Sequence, residues 1–274
     1  MTHFNFIVDC SGSMAAPITP WKRKFGKYIE SVTRSEAMRH TVQQFLMHLS
    51  PDSTDSFSII EFESTPHILV ANMGANSTSY SGRKDIMTVI DDLDNRSQKP
   101  ISGPYGHKQP IFYPRGGTDI AEALKATLKQ TPRNTPTINL LFTDLADYNG
   151  DYIFDALMAQ QYPSSSKPML DDLMADGPLI VTLIAPQDRG TERSARALET
   201  KVNQYELGKL SYKKLQAQCK KMGVSAVGKK QDLIGRLQQG RGSGGFRSSR
   251  FFCVVETFED EVDLYTSLKD AGLL

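Results

Sequence analysis

Two hydrophobic periodicities alternate along the chain. Compact apolar runs at Phe4–Val8, Phe57–Phe62, Thr137–Phe142, Pro178–Ala185 and Phe251–Val255 predict buried strands. His67–Val70, following Ser64-Thr-Pro, predicts the return arm of a hairpin. Between them, apolar residues recur at helical spacing. Met38, Val42, Phe45, Leu46 and Leu49 mark a helix over 35–49, and Ile86, Val89, Ile90 and Leu93 one over 83–93. Ile120, Ala123, Leu124, Thr127 and Leu128 mark a third, and Ala195, Leu198, Val202 and Tyr205 another. Further helices are predicted near 152–160 and 259–271. Strands alternating with amphipathic helices imply an α/β fold: a doubly wound, mostly parallel sheet with helices on both faces. Two stretches break the rhythm. Pro17 and Pro20 make 14–33 an exposed excursion, and Asn95–Gly117 is a long Pro- and Gly-containing connection of the kind that is usually functional or mobile.

Composition narrows the class without naming a function. With 39% hydrophobic and 23% charged residues over 274 positions, the chain is an ordinary globular sequence. No apolar run approaches the roughly 18 residues of a membrane helix. The start, Met1-Thr-His-Phe, enters the first strand with no leader pattern, so the reading is no membrane and a cytoplasmic location, nuclear if eukaryotic. Three scattered cysteines (Cys10, Cys219, Cys253) indicate neither a disulfide framework nor a zinc site. Charge is more informative. Residues 201–250 hold 12 Lys and Arg against Glu206 and Asp232, a local net of +10 in a chain whose total is +1. A basic island in an otherwise acidic chain points to a separate module, with nucleic acid as its first candidate partner.

The chemistry gathers at strand ends. Asp9-x-Ser11-x-Ser13 follows the first strand, Thr118 follows Gly116-Gly117 at a helix start, and Asp144 closes the strand over 137–142. Carboxylate and hydroxyl oxygens suit Mg²⁺, Mn²⁺ or Ca²⁺ rather than zinc, and ligands of open α/β sheets bind beyond the strand C-termini. This set of residues, in this order, resembles the von Willebrand factor A domain, a Rossmann-like fold, with its metal-ion-dependent adhesion site. The resemblance implies that Ser11 and Ser13 ligate the ion through their hydroxyls and that Asp9 and Asp144 act directly or through water. It further implies that Thr118 engages or releases with conformation, and that a partner's Asp or Glu carboxylate completes the coordination. Asp119 reads as a first-turn helix charge, Asp147 and Asp151 as solvated loop residues, and Cys10 as a packed thiol. The five histidines show no ligand spacing.

Within the basic island, residues 210–222 and 228–237 form two helical stretches around Gly223-Val224. Leu215, Gly223-Val224, Gly228-Lys229-Lys230, Leu233-Ile234 and Arg236-Leu237 resemble the SAP motif, a helix–loop–helix module associated with DNA binding. Lys213, Lys214, Lys229, Lys230 and Arg236 are the expected phosphate contacts, assisted by backbone N–H groups at the second helix start. Cys219 in an apolar position and Gly235 inside a helix predict a marginally stable module. Gly223–Lys229 also spells G-x-x-x-x-G-K, but Lys230 replaces the hydroxyl residue and a helix precedes it, so a phosphate-binding loop is rejected. The expected division is 1–208 with 250–274 as the larger domain, 209–239 as the insert and 240–249 as a flexible linker.

Taken together, these readings describe a non-enzymatic adaptor that binds a protein partner through a divalent ion and DNA through the insert. One alternative is a metal-dependent phosphoesterase or nuclease, although no general base or second metal cluster is evident. Another is a structural partner of an ATPase or chaperone, with the insert binding protein.

Overall fold

The computed structural model describes residues 1–18, 21–22, 28–29, 32–49, 54–75, 101–102, 108–109, 118–144, 151–184, 189–240, 245–248, 250–256 and 264–274. Its centre is a six-stranded sheet. In chain order the strands are β1 (His3–Asp9), β2 (Ser56–Phe62), β3 (Pro66–Gly74), β4 (Thr137–Thr143), β5 (Leu179–Ile184) and β6 (Phe251–Glu256). They lie in the order β6-β5-β4-β1-β2-β3, all parallel except β3, which pairs antiparallel with β2 at one edge. Every residue of β1, β2, β4 and β5 is buried, as expected for strands covered on both faces.

The helices are α1 (Arg34–His48), α2 (Ile120–Gln130), α3 (Asp151–Met158), α4 (Met169–Leu173), α5 (Arg189–Lys209), α6 (Tyr212–Lys221), α7 (Lys230–Gln239) and α8 (Leu264–Asp270). On one face, Phe4, Phe6 and Val8 pack with Met38, Val42 and Phe45 of α1 and Leu264 and Leu268 of α8. Phe45 meets Phe6 edge-on at 5.2 Å between ring centroids. On the other face, Ile7, Leu141 and Val181 pack with α2 to α5 through residues such as Leu124, Leu157, Leu170 and Leu198. A Cβ at Gly177 would lie 1.8 Å from the Thr137 carbonyl oxygen, so only glycine lets the chain enter β5 beside β4.

Two local expectations change. The 14–33 excursion is tied down at both ends. A four-residue 3-10 helix (Gly12–Ala15) comes first, Pro17-Ile18 pairs antiparallel with Val32-Thr33, and Met14 and Ile18 are buried. Prolines excluded an α-helix there but not an edge pairing. Helix α4 had no periodic signal because five residues are too few to show one. The helix expected over 83–93, Gly116-Gly117, most of the Asn95–Gly117 connection and Asp147 lie outside the described residues.

Helix α5 links two cores. Its Ala195, Leu198 and Val202 belong to the sheet's core, whereas Leu207 packs with Leu215, Cys219, Leu233, Ile234 and Leu237 of the α6–α7 pair. In the 240–249 stretch, Phe246 packs on that pair and donates its N–H to the Leu237 carbonyl, and the Ser248 N–H donates to Asn203 Oδ1 at 2.6 Å. Gly235 has open space where a Cβ would stand. Gly235→Ala is therefore expected to stabilise the pair by about 0.5–1 kcal/mol, through helix propensity alone. Slower amide exchange in α7 would show it, and faster exchange would contradict the geometry.

Candidate functional site

Strand pairing decides which distant residues meet. Because β1 lies between β2 and β4, with Val8 opposite both Glu61 and Phe142, the C-terminal ends of β1 and β4 open side by side. Asp9 ends β1 and is buried. Its Oδ1 accepts the Ser11 N–H at 2.8 Å and its Oδ2 accepts the Thr143 hydroxyl at 2.7 Å. Ser11 caps the 3-10 helix, whose tight turn brings the Ser13 hydroxyl within 3.0 Å of its own. Ser13 Oγ in turn donates to Asp144 Oδ1 at 3.1 Å, across 131 residues of sequence. Asp9, Ser11, Ser13 and Asp144 thus form one oxygen cluster at the sheet mouth.

Thr118 stands at the same edge. The next residue's N–H, that of Asp119, donates to the Glu63 carbonyl at 2.6 Å, just past the Phe62 that pairs with Asp9. The Thr118 carbonyl accepts the Tyr152 hydroxyl at 2.6 Å. Asp119, expected as a first-turn charge, is instead the N-cap of α2: its carboxylate accepts the Glu122 N–H at 3.0 Å. Asp151 is not a free loop residue either; it opens α3 and pairs with Lys201 at 2.5 Å.

Burial sets the electrostatics of the cluster. The Asp9 carboxyl is pushed up to about 6, first by desolvation and also by the neighbouring Asp144 charge, against the pull of its Thr143 and Ser11 hydrogen bonds. The donor set is all oxygen, two carboxylates with serine hydroxyls between them, and this chemistry fits a hard divalent cation. Among the described residues, no group of three or more His, Cys, Asp or Glu side chains is placed to hold an ion.

Two members were missed from sequence. Thr143 carries a signal in hindsight, a hydroxyl beside Asp144 at a strand end. Arg34 carries none: it opens α1, and its Nη1 donates to Asp144 Oδ2 at 2.5 Å across 110 residues.

The opposite edge of the sheet is polar too, but closed on itself. His3 Nδ1 bonds Ser56 Oγ at 2.8 Å, its Nε2 bonds Asn5 Oδ1 at 3.0 Å, and Asn5 Nδ2 donates to Asn139 Oδ1 at 2.8 Å. Burial lowers the His3 pKa. This network ties strands together and aims no donor set outward.

The five basic residues expected to meet phosphate divide into two groups. Lys213, Lys214 and Lys229 are exposed around the start of α6 and α7, which the Tyr212 hydroxyl joins by donating to the Gly228 carbonyl at 2.8 Å. Lys230 is exposed, but its ammonium donates to the Gly208 carbonyl at 2.7 Å. Arg236 is half-buried and donates to the Ser225 and Val227 carbonyls, holding the loop before α7. Gly228 turns there at φ +131°, and a Cβ would lie 2.8 Å from Asp232 Oδ2. The Lys229 N–H, one of the donors expected for phosphate, is taken by Asp232 Oδ2 at 2.8 Å. Cys219 is a packing thiol, fully buried and raised in pKa by desolvation.

Comparison with known proteins agrees with these two regions. A model of the von Willebrand factor type A domain matches residues 4–146, and a SAP domain model matches residues 206–239. Solved structures similar to the chain include an aerotolerance-related membrane protein from Bacteroides fragilis, at 15% identity over 69% of this chain and 70% of that one, with a TM-score of 0.42. The PilB minor pilin from Streptococcus sanguinis is 13% identical over 98% of this chain and 60% of its own, at 0.48. Proximal thread matrix protein 1 from the mussel byssus, solved with a zinc-occupied metal-ion-dependent adhesion site, is 15% identical over 66% and 35%, at 0.37. No curated protein is similar enough in sequence to count as a relative.

Proposed function

The chain belongs to the von Willebrand factor type A domain family and carries a SAP domain, and from that premise we propose that it is a non-enzymatic adaptor joining a protein partner to DNA. The carrying observation is the oxygen cluster: Asp9, Ser11 and Ser13 of one loop meet Asp144 of another at the mouth of the sheet. Asp9, Ser11, Ser13, Asp144 and Thr118 would hold a divalent cation, Mg²⁺ being our assignment over Mn²⁺ or Ca²⁺. When bound, the ion supplies an open coordination position for an Asp or Glu carboxylate of the partner. The chain's own part is to fix the donors. Thr143 holds one Asp9 oxygen and the Ser11 N–H holds the other, so the carboxylate cannot rotate.

The two activities lie at opposite ends of the larger domain. Helix α5 starts beyond the C-terminal end of β5, runs 21 residues or about 30 Å, and delivers the chain to the α6–α7 pair before β6 begins. We take 1–208 with 250–274 as the host domain, 209–239 as the insert and 240–249 as the connection. A partner at the ion and a duplex at the insert would therefore not compete for space. Exposed Lys213, Lys214 and Lys229 are the leading phosphate contacts, with Lys230 and Arg236 shaping the surface as well as charging it. No helix among the described residues is long and apolar enough to cross a membrane. We place the protein in the cytoplasm, or the nucleus if eukaryotic.

Affinity capture with wild type beside Asp9→Ala, each with and without nuclease, tests the proposal. The expected result is a protein partner that survives nuclease and is lost in Asp9→Ala. A partner set that is identical for both proteins, or that vanishes with nuclease alone, would remove the ion-dependent half.

A further inference from the structure

The first residue of α1 is a cation where helix electrostatics favour an anion. Arg34 sits directly after the Thr33 N-cap, in a capping box where the Glu36 N–H donates to Thr33 Oγ1 at 3.1 Å and Glu36 Oε2 accepts the Thr33 N–H at 2.9 Å. The helix end is therefore already satisfied and carries its own acid. Nothing in α1 calls for a positive charge at position 34.

The explanation lies across the domain. The Arg34 N–H donates to the Ala16 carbonyl at 3.0 Å, which anchors its backbone to the loop that presents Ser13. Its guanidinium donates to Asp144 Oδ2 at 2.5 Å, while Ser13 holds Asp144 Oδ1 at 3.1 Å. Both oxygens of a carboxylate expected to serve an ion are thus occupied by the chain itself. Asp144 is buried beside the Asp9 loop, and a buried carboxylate needs a compensating positive group when no metal supplies it. Arg34 meets that need incompletely: its Nε–H is buried and finds no acceptor among the described residues. Among the described residues one ion pair, to Asp144, holds the guanidinium, so a cation that takes Asp144 removes that hold.

We infer that Arg34 is an internal counter-ion of the metal centre, holding Asp144 in the cation-free protein and withdrawing when a divalent cation is bound. The inference rests on the ion-site reading above and adds a regulatory element to it. Ion affinity is then set by competition with a tethered positive charge, not by the oxygen donors alone. Partner binding at the ion would be coupled to the position of α1 and of the 14–33 segment that leads into it.

Two measurements test this on the full chain. The first is calorimetric titration of Mg²⁺ and Mn²⁺ into wild type, Arg34→Gln, Arg34→Lys and Asp9→Asn. Arg34→Gln is expected to bind at least about tenfold more tightly than wild type, because a nearby unit charge is removed, while Arg34→Lys stays close to wild type. A residue that merely braced the site would give weaker binding on removal, so equal or weaker binding by Arg34→Gln overturns the inference. The second needs no folded variant: the Arg34 Nε–H resonance of wild type, followed by nitrogen-15 NMR with added Mg²⁺. It is expected to shift and exchange faster as the side chain reaches water. An unchanged resonance alongside a clear heat of binding overturns the inference and leaves the ion site standing. If neither wild type nor Arg34→Gln binds either metal, the ion site itself is refuted.

Discussion

Asp9→Asn is expected to make the cation-free protein more stable at pH 8 and, in the same molecule, to abolish its response to divalent cations. Asp9 is almost wholly buried and its carboxyl is raised to about 6, chiefly by desolvation, from an ordinary value of 3.8. The sign follows from linkage. Between pH 3.8 and 6 the folded chain binds the Asp9 proton and the unfolded chain does not, so stability falls as pH rises through that window and levels off above it. At pH 8 the ionised group costs on the order of 3 kcal/mol, which a bound cation would offset. Asn carries no charge to desolvate, so its melting temperature in EDTA should exceed wild type by on the order of 5 °C. His3 acts in the opposite sense. Its pKa is lowered by burial, so its contribution is present above about 6.5 and lost as pH falls, and the quantity to read is the difference between the two proteins. Thermal denaturation at pH 5 and pH 8, with EDTA or excess Mg²⁺, checks both halves. A variant less stable than wild type in EDTA at pH 8, or one that keeps the Mg²⁺-induced rise, would show that Asp9 is a turn residue and not a ligand.

Reversing three charges at the other end should be the most damaging change for DNA. Lys213→Glu, Lys214→Glu and Lys229→Glu together are expected to weaken duplex binding on the order of 100-fold or more near 100 mM salt. The same triple variant should flatten the dependence of log K on log salt by about 3, since each phosphate contact contributes a slope of about 0.9. None of the three side chains lies in the buried core of the helical pair, so the module should keep its fold. Fluorescence anisotropy on a short duplex from 50 to 200 mM salt reads both quantities. Unchanged affinity and slope would move the α6–α7 pair to the protein-binding alternative.

How much of the fold is legible in the sequence differs by element, for physical reasons. Strands β1, β2, β4 and β5 were legible because both their faces are covered, which forces unbroken apolar runs. The α6–α7 pair was legible from Leu215, Leu233 and Leu237 at helical spacing around Gly223, whose φ of +68° marks the turn. Basic residues were harder. Lys229 and Arg236 look alike in a list of charges, yet one is exposed and the other spends its donors on the Ser225 and Val227 carbonyls. Side-chain type states what a group is able to bind; only its neighbours decide what it does bind.

Composition and periodicity by themselves determined the α/β class and the place of the basic island, while residue type and the family resemblance nominated Asp9, Ser11, Ser13, Thr118 and Asp144 as candidate oxygen donors. Those properties are local, because burial pattern and ligand chemistry are written residue by residue. Tertiary structure alone decided that Thr143 braces Asp9, that Leu207 lends the host's helix to the insert's core, and that Arg34 reaches Asp144. Each of these contacts joins groups far apart along the chain or depends on strand order and helix phase. No local pattern encodes a meeting that exists only once β1 has settled between β2 and β4.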